Sequence, residues 1–354
     1  MTKRVGIKDV AREAGVSAAT VSLVLNDRPE ATRIPTVTQD RVRRAAEEIG
    51  YTPNSLARSL RTRRTHTIGF VSDRIATTPY AVRMIEAAQD TARDHGHLVF
   101  LVNTDLDPAL ERDAVDSLLN RQVEGLVYAC MWHREVQPPA GLPAGTVFLD
   151  GRPVGGGFPA VVPDDRGGAV AAVQELVDAG HRRIAYVDIN EEPPPLASGL
   201  RYQGYLEVLT RAGITPDPAL HVRGESDAAG GKAAASQVLD LPPDQRPTAI
   251  FCFNDRIAMG VYAAARHHGL EIPTDLSVVG YDDQQLIAAE LDPPLTTVAL
   301  PHYAMGRWAV EVLLGVREPP TEDEGVVLMH CPLIRRESVG PPPAEQGEQG
   351  RRRV

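Results

Sequence analysis

Cysteine is scarce in this chain: Cys130, Cys252 and Cys331 are the only three in 354 residues. They are odd in number and far apart, which gives neither a disulfide framework nor a metal-ligand pair and predicts a reducing, cytoplasmic setting. No run approaches the roughly 18 apolar residues that a membrane-spanning helix needs. The N-terminus, MTKRVGIKDVAREAG, is basic but lacks the apolar stretch of a secretory signal. The motifs of common enzymes, GxSxG, HExxH and the phosphate-binding P-loop, are missing. Asp282 and Asp283 are adjacent carboxylates, yet neighbours in sequence do not flank a bond from opposite sides as glycosidase acids must. The glycine-rich VGGGFP at 154–159 does not open a βαβ helix and reads as a loop. The expectation is a protein that is not an enzyme and uses no cofactor or metal.

What the sequence does contain is asymmetric. Its length predicts two or more units with real cores, and 43% hydrophobic with 24% charged residues is ordinary for a soluble globular protein. The net charge is −10, but residues 1–64 hold 13 Lys and Arg against 7 Asp and Glu, a net +6, leaving −16 for the rest. A basic head on an acidic body is expected when only the head meets a polyanion, although a solvated basic face gives the same asymmetry.

The head reads as helices. Ile7, Val10, Ala11 and Ala14 follow helical spacing, with Asp9 in the first turn where the helix dipole favours an acid. Gly15 supplies a left-handed turn, and Ser17 caps a second helix carrying Thr20, Val21, Val24 and Leu25. Val42, Ala45, Ala46 and Ile49 share a face of a third. Two short helices about a glycine turn form a helix-turn-helix, whose second helix fits a DNA major groove; a helical hairpin with no ligand has the same pattern.

Several segments together resemble the lactose/galactose repressor (LacI/GalR) family of bacterial transcription regulators. They are IKDVAREAGVSAATVSLVLN from Ile7, GYTPNSLARSLR from Gly50, TIGFV from Thr67, LVDAGHRRIAYV from Leu176, RYQGY from Arg201, TAIFCFNDRIAMG from Thr248, LSVVGYDD from Leu276 and PPLTTVALPHYAMGR from Pro293. They span nearly the whole chain. The resemblance implies that NSLARSLR is a hinge that becomes helical when two copies pair on operator DNA. Leu60 would be its minor-groove wedge, with Arg58, Arg61, Arg63 and Arg64 placed to meet phosphates. It puts Ala18, Ala19 and Leu23 where base-reading side chains stand, and Ser17, Thr20, Ser22 and Asn26 where groups position the backbone. Position 23 often carries a long polar residue in the family. Leu23 instead implies methyl contact with thymine rather than bidentate bonds to guanine. The link NDRPEATRIPTVTQ is longer than most members show; Arg28 and Arg33 in it either add phosphate contacts or belong to a plain loop.

From Thr67 the pattern changes to buried apolar runs (TIGFVS, LVFLVN, VEGLVYA, TVFLD, RRIAYVD, TAIFCFND, DLSVVGYDD) alternating with amphipathic helices, which implies parallel sheets covered on both faces. Ligands of such sheets sit beyond the carboxyl ends of strands, where Asp73, Asp150, Asn254 and Asp282 fall. Arg201 opens a helix after a proline-rich loop, and Tyr80 offers a stacking face. The resemblance maps Asp150, Arg201, Asn254 and Asp282 onto effector contacts, with apolar Leu300 where some members place a polar one. For each of the polar groups a helix cap or loop turn is the plain structural alternative.

The expected fold is an all-α helix-turn-helix head with a hinge helix, followed by a two-lobed α/β domain like the type I periplasmic binding proteins. The expected bounds are 1–53 for the head, 54–66 for the hinge and 67–340 for the effector domain. One lobe takes 67–163 and 292–325, the other 164–291 and 326–340, so crossings fall at 161–169, near Leu291 and near Gly325. A disordered tail at 341–354 has no leucine heptad, which predicts a homodimer rather than a tetramer. The implied function is a repressor that binds a pseudo-palindromic operator under control of a small molecule, in all expectation a sugar. A sugar-binding protein or an enzyme-like sensor with a DNA-binding head is the alternative.

Overall fold

The computed structural model describes residues 5–26, 31, 33–51, 64–78, 81–319 and 325–343. The chain forms two compact units, Met1–Thr65 and His66–Val354.

Among the described residues, the first unit has three helices: α1 (Ile7–Ala14), α2 (Ala18–Leu25) and α3 (Thr36–Glu48). Gly15 ends α1 at φ 62°, a left-handed conformation that glycine adopts without the cost a Cβ adds. Ser17 caps α2 by accepting the Thr20 N–H at 3.1 Å. Val10, Ala11, Ala14, Val21, Val24, Val42, Ala45 and Ala46 form the buried core, with Ile7, Val16, Leu25, Ile34 and Ile49 packed around it. The end of the long link is fastened rather than loose. Ala31 is buried, and the Gln39 side chain donates to the Ala31 and Ile34 carbonyls, each at 2.9 Å.

The second unit holds two six-stranded sheets. Its strands are β1 (Thr67–Ser72), β2 (Leu98–Asn103), β3 (Leu126–Val136), β4 (Val147–Pro153), β5 (Ala160–Pro163), β6 (Ile184–Ile189), β7 (His221–Gly224), β8 (Ala249–Cys252), β9 (Ser277–Asp282), β10 (Thr296–Ala299), β11 (Val326–Met329) and β12 (Leu333–Ile334). One sheet runs β11-β5-β4-β3-β1-β2 and the other β12-β10-β9-β8-β6-β7. The pairing is parallel throughout except between β10 and β12. Every residue of β1, β6 and β9 is buried, as parallel strands covered on both faces require.

The helices follow in chain order: α4 (Val82–Asp94), α5 (Pro108–Asn120), α6 (Asp165–Asp178), α7 (Leu196–Arg211), α8 (Ala228–Leu239), α9 (Asp255–His267) and α10 (His302–Leu313). Helices α4 and α10 approach closely at Gly306, where a Cβ would stand 2.3 Å from the Met84 carbonyl oxygen.

The chain passes between lobes after Pro163, after Ala299 and after Met329. The last two differ from the expected positions near Leu291 and Gly325. Strand β10 pairs with β9, so residues 292–299 belong to the second lobe; β11 pairs with β5, so 326–329 belong to the first. The sequence misleads here because four-residue strands next to a crossing have no helix to show which sheet they join. The last residue of the expected effector domain is fastened to the second lobe. Gly340 accepts from His181 Nε2 at 2.9 Å, and its N–H donates to Ser277 Oγ at 3.0 Å. Residues 344–354 lie outside the described residues.

Candidate functional site

The effector candidates converge where the carboxyl ends of both sheets meet. Arg201 projects from the second turn of α7 and is 2% exposed. Its Nε donates to Asp165 Oδ1 at 2.8 Å, and its Nη1 donates to the Phe253 carbonyl and lies 3.7 Å from Asp282 Oδ1. The guanidinium carbon lies 3.6 Å from the centre of the Tyr281 ring and 4.3 Å from that of Phe253. Two of its nitrogens and two aromatic rings thus hold this cation in place.

Asp165, the first residue of α6, is shared. Its second oxygen pairs with His133 Nδ1 at 2.8 Å, so β3, α6 and α7 are tied together by buried polar groups. Asp150, inside β4, and Asp282, the last residue of β9, have left-handed backbone conformations, φ 56° and 104°. Gln284 donates to Asp282 Oδ2 at 2.7 Å.

Three buried polar atoms here lack a hydrogen-bond partner: Asp150 Oδ1, Asp282 Oδ1 and His133 Nε2. All three residues line one small cavity of about 10 Å³, together with Trp132, Arg201 and Leu300. That is room for about one water molecule. Met131 and Trp132 also line a neighbouring cleft of about 530 Å³ with Asp73, Arg134 and the 191–196 loop. This volume is in the range of small-molecule sites.

The electrostatics of the cavity disfavour an added negative charge. Burial, then the nearby Asp165 charge, pushes the Asp150 carboxyl well above its ordinary value. Burial raises Asp282 to about 6 even though Arg201 and Gln284 favour its charged form. Burial acts on Asp165 in the same sense, but Arg201 and His133 outweigh it and hold that group low. Arg201 is therefore already neutralised by the protein's own acids. The open positions are one oxygen each of Asp150 and Asp282 and the Nε2 of His133, which hydroxyl groups can meet as donors or acceptors.

Of the residues expected from sequence, the cavity gathers Asp150, Arg201 and Asp282, with Leu300 as an apolar wall. Asp73 stands in the outer cleft, where it accepts from the Arg74 N–H at 2.6 Å and from Arg134 at 3.3 Å. Asn254 is a helix cap: Oδ1 accepts from the Ile257 N–H and Nδ2 donates to Ser226 Oγ, each at 2.9 Å. Its amide is therefore used by the protein itself, and Asn254 is not among the residues that line the small cavity. Tyr80 lies outside the described residues.

Sequence reasoning missed His133, Asp165 and Trp132. Asp165 carried a signal, since it lies in VVPDDRGGA at a helix start. His133 carried none, because a lone histidine in a strand does not announce a partner 32 residues away.

In the first unit, Ser17, Ala19, Thr20, Ser22, Leu23 and Asn26 are exposed or half-buried on α2, whereas Ala18 packs against the core. Ser17 Oγ and Thr20 Oγ1 are 2.9 Å apart, and Asn26 donates to the Ser22 carbonyl at 2.7 Å. Arg58, Leu60, Arg61 and Arg63 lie outside the described residues, as does Arg28.

Comparison with known proteins agrees with this architecture. Residues 6–54 match the family described as "Bacterial regulatory proteins, lacI family", and residues 173–339 match "Periplasmic binding protein-like domain". The transcriptional repressor CytR of Escherichia coli K12 is 34% identical over 335 residues, covering 94% of this chain and 95% of that repressor. The ribose operon repressor of the same organism is 34% identical over 320 residues, 89% of this chain and 94% of its own length. Among solved structures, a lac repressor dimer bound to operator and the anti-inducer ONPF superposes with a TM-score of 0.77. It is 26% identical and covers 96% of this chain and all of that one. A complex of the transcriptional regulator CelR with cellobiose gives a TM-score of 0.65 at 29% identity over 95% of this chain and all of that one.

Proposed function

We propose, on the premise that the chain belongs to the lacI family of bacterial regulatory proteins and is a transcription regulator rather than an enzyme, that it represses from a pseudo-palindromic operator as a homodimer. A neutral, polyhydroxylated small molecule bound between the lobes controls that activity. The observation that carries the effector class is the set of three buried atoms without a hydrogen bond around an arginine already neutralised by Asp165. A buried polar atom left unpaired costs about 1–3 kcal/mol, so a ligand that satisfies Asp150, Asp282 and His133 recovers that cost. Hydroxyl groups suit all three, and the Trp132 ring gives a sugar face an apolar wall.

In the head, α2 is the reading helix. Ala19 and Leu23 offer methyl contacts to bases, while Ser17, Thr20, Ser22 and Asn26 fix its register on the phosphates. Ala18 is half committed to the head's own core, so its part in readout is smaller than its position suggests. Arg58, Leu60 and Arg61 retain the hinge role that the family resemblance implies. The name of one relative, the ribose operon repressor, and the cellobiose bound to one structural neighbour are in keeping with a sugar effector.

Thermal unfolding of the full chain against matched pairs of neutral sugars and their phosphate or carboxylate derivatives tests the effector class. A neutral member at about 100 times its Kd stabilises the protein by about 2.7 kcal/mol. Stabilisation by the anionic members alone overturns the reading.

A further inference from the structure

The opposite end of the first sheet carries a second constellation. Strands β3, β1 and β2 are neighbours, and each is preceded by a group that binds metals: Glu124 before β3, His66 before β1 and His97 before β2. One ligand atom from each of the three lies within 4.8 Å of the others. The ladder sets this grouping, since the Leu98 N–H donates to the His66 carbonyl at 2.9 Å and the Glu124 N–H to the Thr67 carbonyl at 2.8 Å.

The side chains are held as well. Glu124 Oε1 accepts the His66 backbone N–H at 2.7 Å, which leaves Oε2 facing His97. His97 Nδ1 is 2.8 Å from the His95 carbonyl, which can only accept. The proton is therefore on Nδ1, and a neutral ring presents a lone pair at Nε2. That nitrogen faces Glu124 Oε2 at 3.2 Å. A spacing of 3.2 Å is that of a hydrogen bond and also that of two ligand atoms on one ion. A histidine whose second nitrogen is tied to a backbone carbonyl is also the usual arrangement of a metal ligand. The His97 and Glu124 side chains are only 12% and 22% exposed, so solvent does not easily scatter them.

We propose that His66, His97 and Glu124 form a binding site for a divalent transition metal of the zinc type. Two imidazoles and one carboxylate suit Zn²⁺, Co²⁺ or Ni²⁺ and not Mg²⁺, which prefers oxygen ligands and keeps its water. Ligand atoms on a tetrahedral zinc stand about 3.4 Å apart, so closing the site takes a small side-chain adjustment. Three protein ligands leave a position for water, which makes the metal exchangeable. The site lies on the sheet end away from the effector cavity and includes the first residue of the larger unit, so an occupied site anchors the chain where that unit begins.

The test uses the full-length protein stripped with chelator, titrated with Co²⁺ and Zn²⁺ by absorption spectroscopy and calorimetry, with Mg²⁺ in excess. One ion per chain, a visible Co²⁺ spectrum and displacement by Zn²⁺ are expected. His97→Ala and Glu124→Gln should each weaken binding tenfold or more, with an unchanged far-ultraviolet dichroism spectrum as the folding control. Binding that persists undiminished in the His66→Ala/His97→Ala double variant, displacement by Mg²⁺, or no binding at all overturns the proposal.

Discussion

The cores of the two units are built on different terms. Among the described residues, the head's core cluster consists of eight valines and alanines from three helices, with no charged group among them. The larger unit buries Tyr186, Tyr205, Tyr281, Phe251 and Phe253, and it encloses Asp150, Asp165, Arg201 and Asp282. Each buried CH₂ contributes about 0.8 kcal/mol, so the head's small side chains leave it a narrow margin. The larger unit has margin to spare, and part of it is used to hold polar groups that are incompletely paired. Stability is thus scarce in the head and, on the proposed function, is given up in the larger unit where a ligand would bind.

The sharpest break of this comparison is Val42→Asp. Val42 is fully buried, and an unpaired carboxylate in so small a core costs at least about 4 kcal/mol. Calorimetry should show the head's transition lost, with operator binding abolished and the larger unit's transition unmoved. If the larger unit's transition moves too, the two cores are not independent.

Next in size is Arg201→Ala, which leaves Asp165 and Asp282 buried without their cation and should cost the larger unit about 3–5 kcal/mol. Effector binding should disappear while the head's transition stays in place. An unchanged urea midpoint for the larger unit would show that Arg201 does not neutralise these acids.

Asp282→Asn sharpens the comparison through pH. Burial raises this carboxyl from 3.8 to about 6, so the native state holds its proton more tightly than the unfolded chain. The stabilisation is complete below the unfolded value and is lost as pH rises through the folded one. The variant escapes this loss. Its advantage over the parent should grow between about pH 4 and pH 6 and then level off, at up to about 3 kcal/mol. Urea unfolding across that range measures it; a pH-independent difference contradicts the assignment.

The smallest effect belongs to the cap. Ser17→Ala removes the acceptor for the Thr20 N–H and should cost the head about 1 kcal/mol, with Ser17→Asp close to neutral. Hydrogen exchange of the α2 amides reads it directly. Equal exchange in both variants would mean that the cap adds nothing.

Much of this was legible in the sequence, for reasons that differ by region. Helices α1 to α3 declare themselves because a small core leaves little room for exceptions: the apolar spacing, Gly15 and Ser17 each have one reading. The long buried strands declare themselves by uninterrupted apolar runs. Strands β5, β10 and β11 do not, because four residues beside a crossing fit either sheet. In the candidate site, Asp150, Arg201 and Asp282 could be placed from their position after apolar runs or near the start of a helix. Asn254 shares that position with the N-cap of α9, and sequence does not separate a cap from a ligand contact. His133 and Asp165 become visible only when β3 and α6 are brought together in space.

The lobes of the larger unit are joined three times, after Pro163, after Ala299 and after Met329. Two rigid bodies on a single tether can swivel, splay and slide. Three short tethers side by side suppress most of those freedoms and leave opening and closing about one shared axis. A small molecule that draws the lobes together then spends its binding energy along a single coordinate instead of dispersing it among many. The connectivity acts as a mechanical rectifier, in which ligands of different shape produce the same kind of movement and differ only in how far it goes.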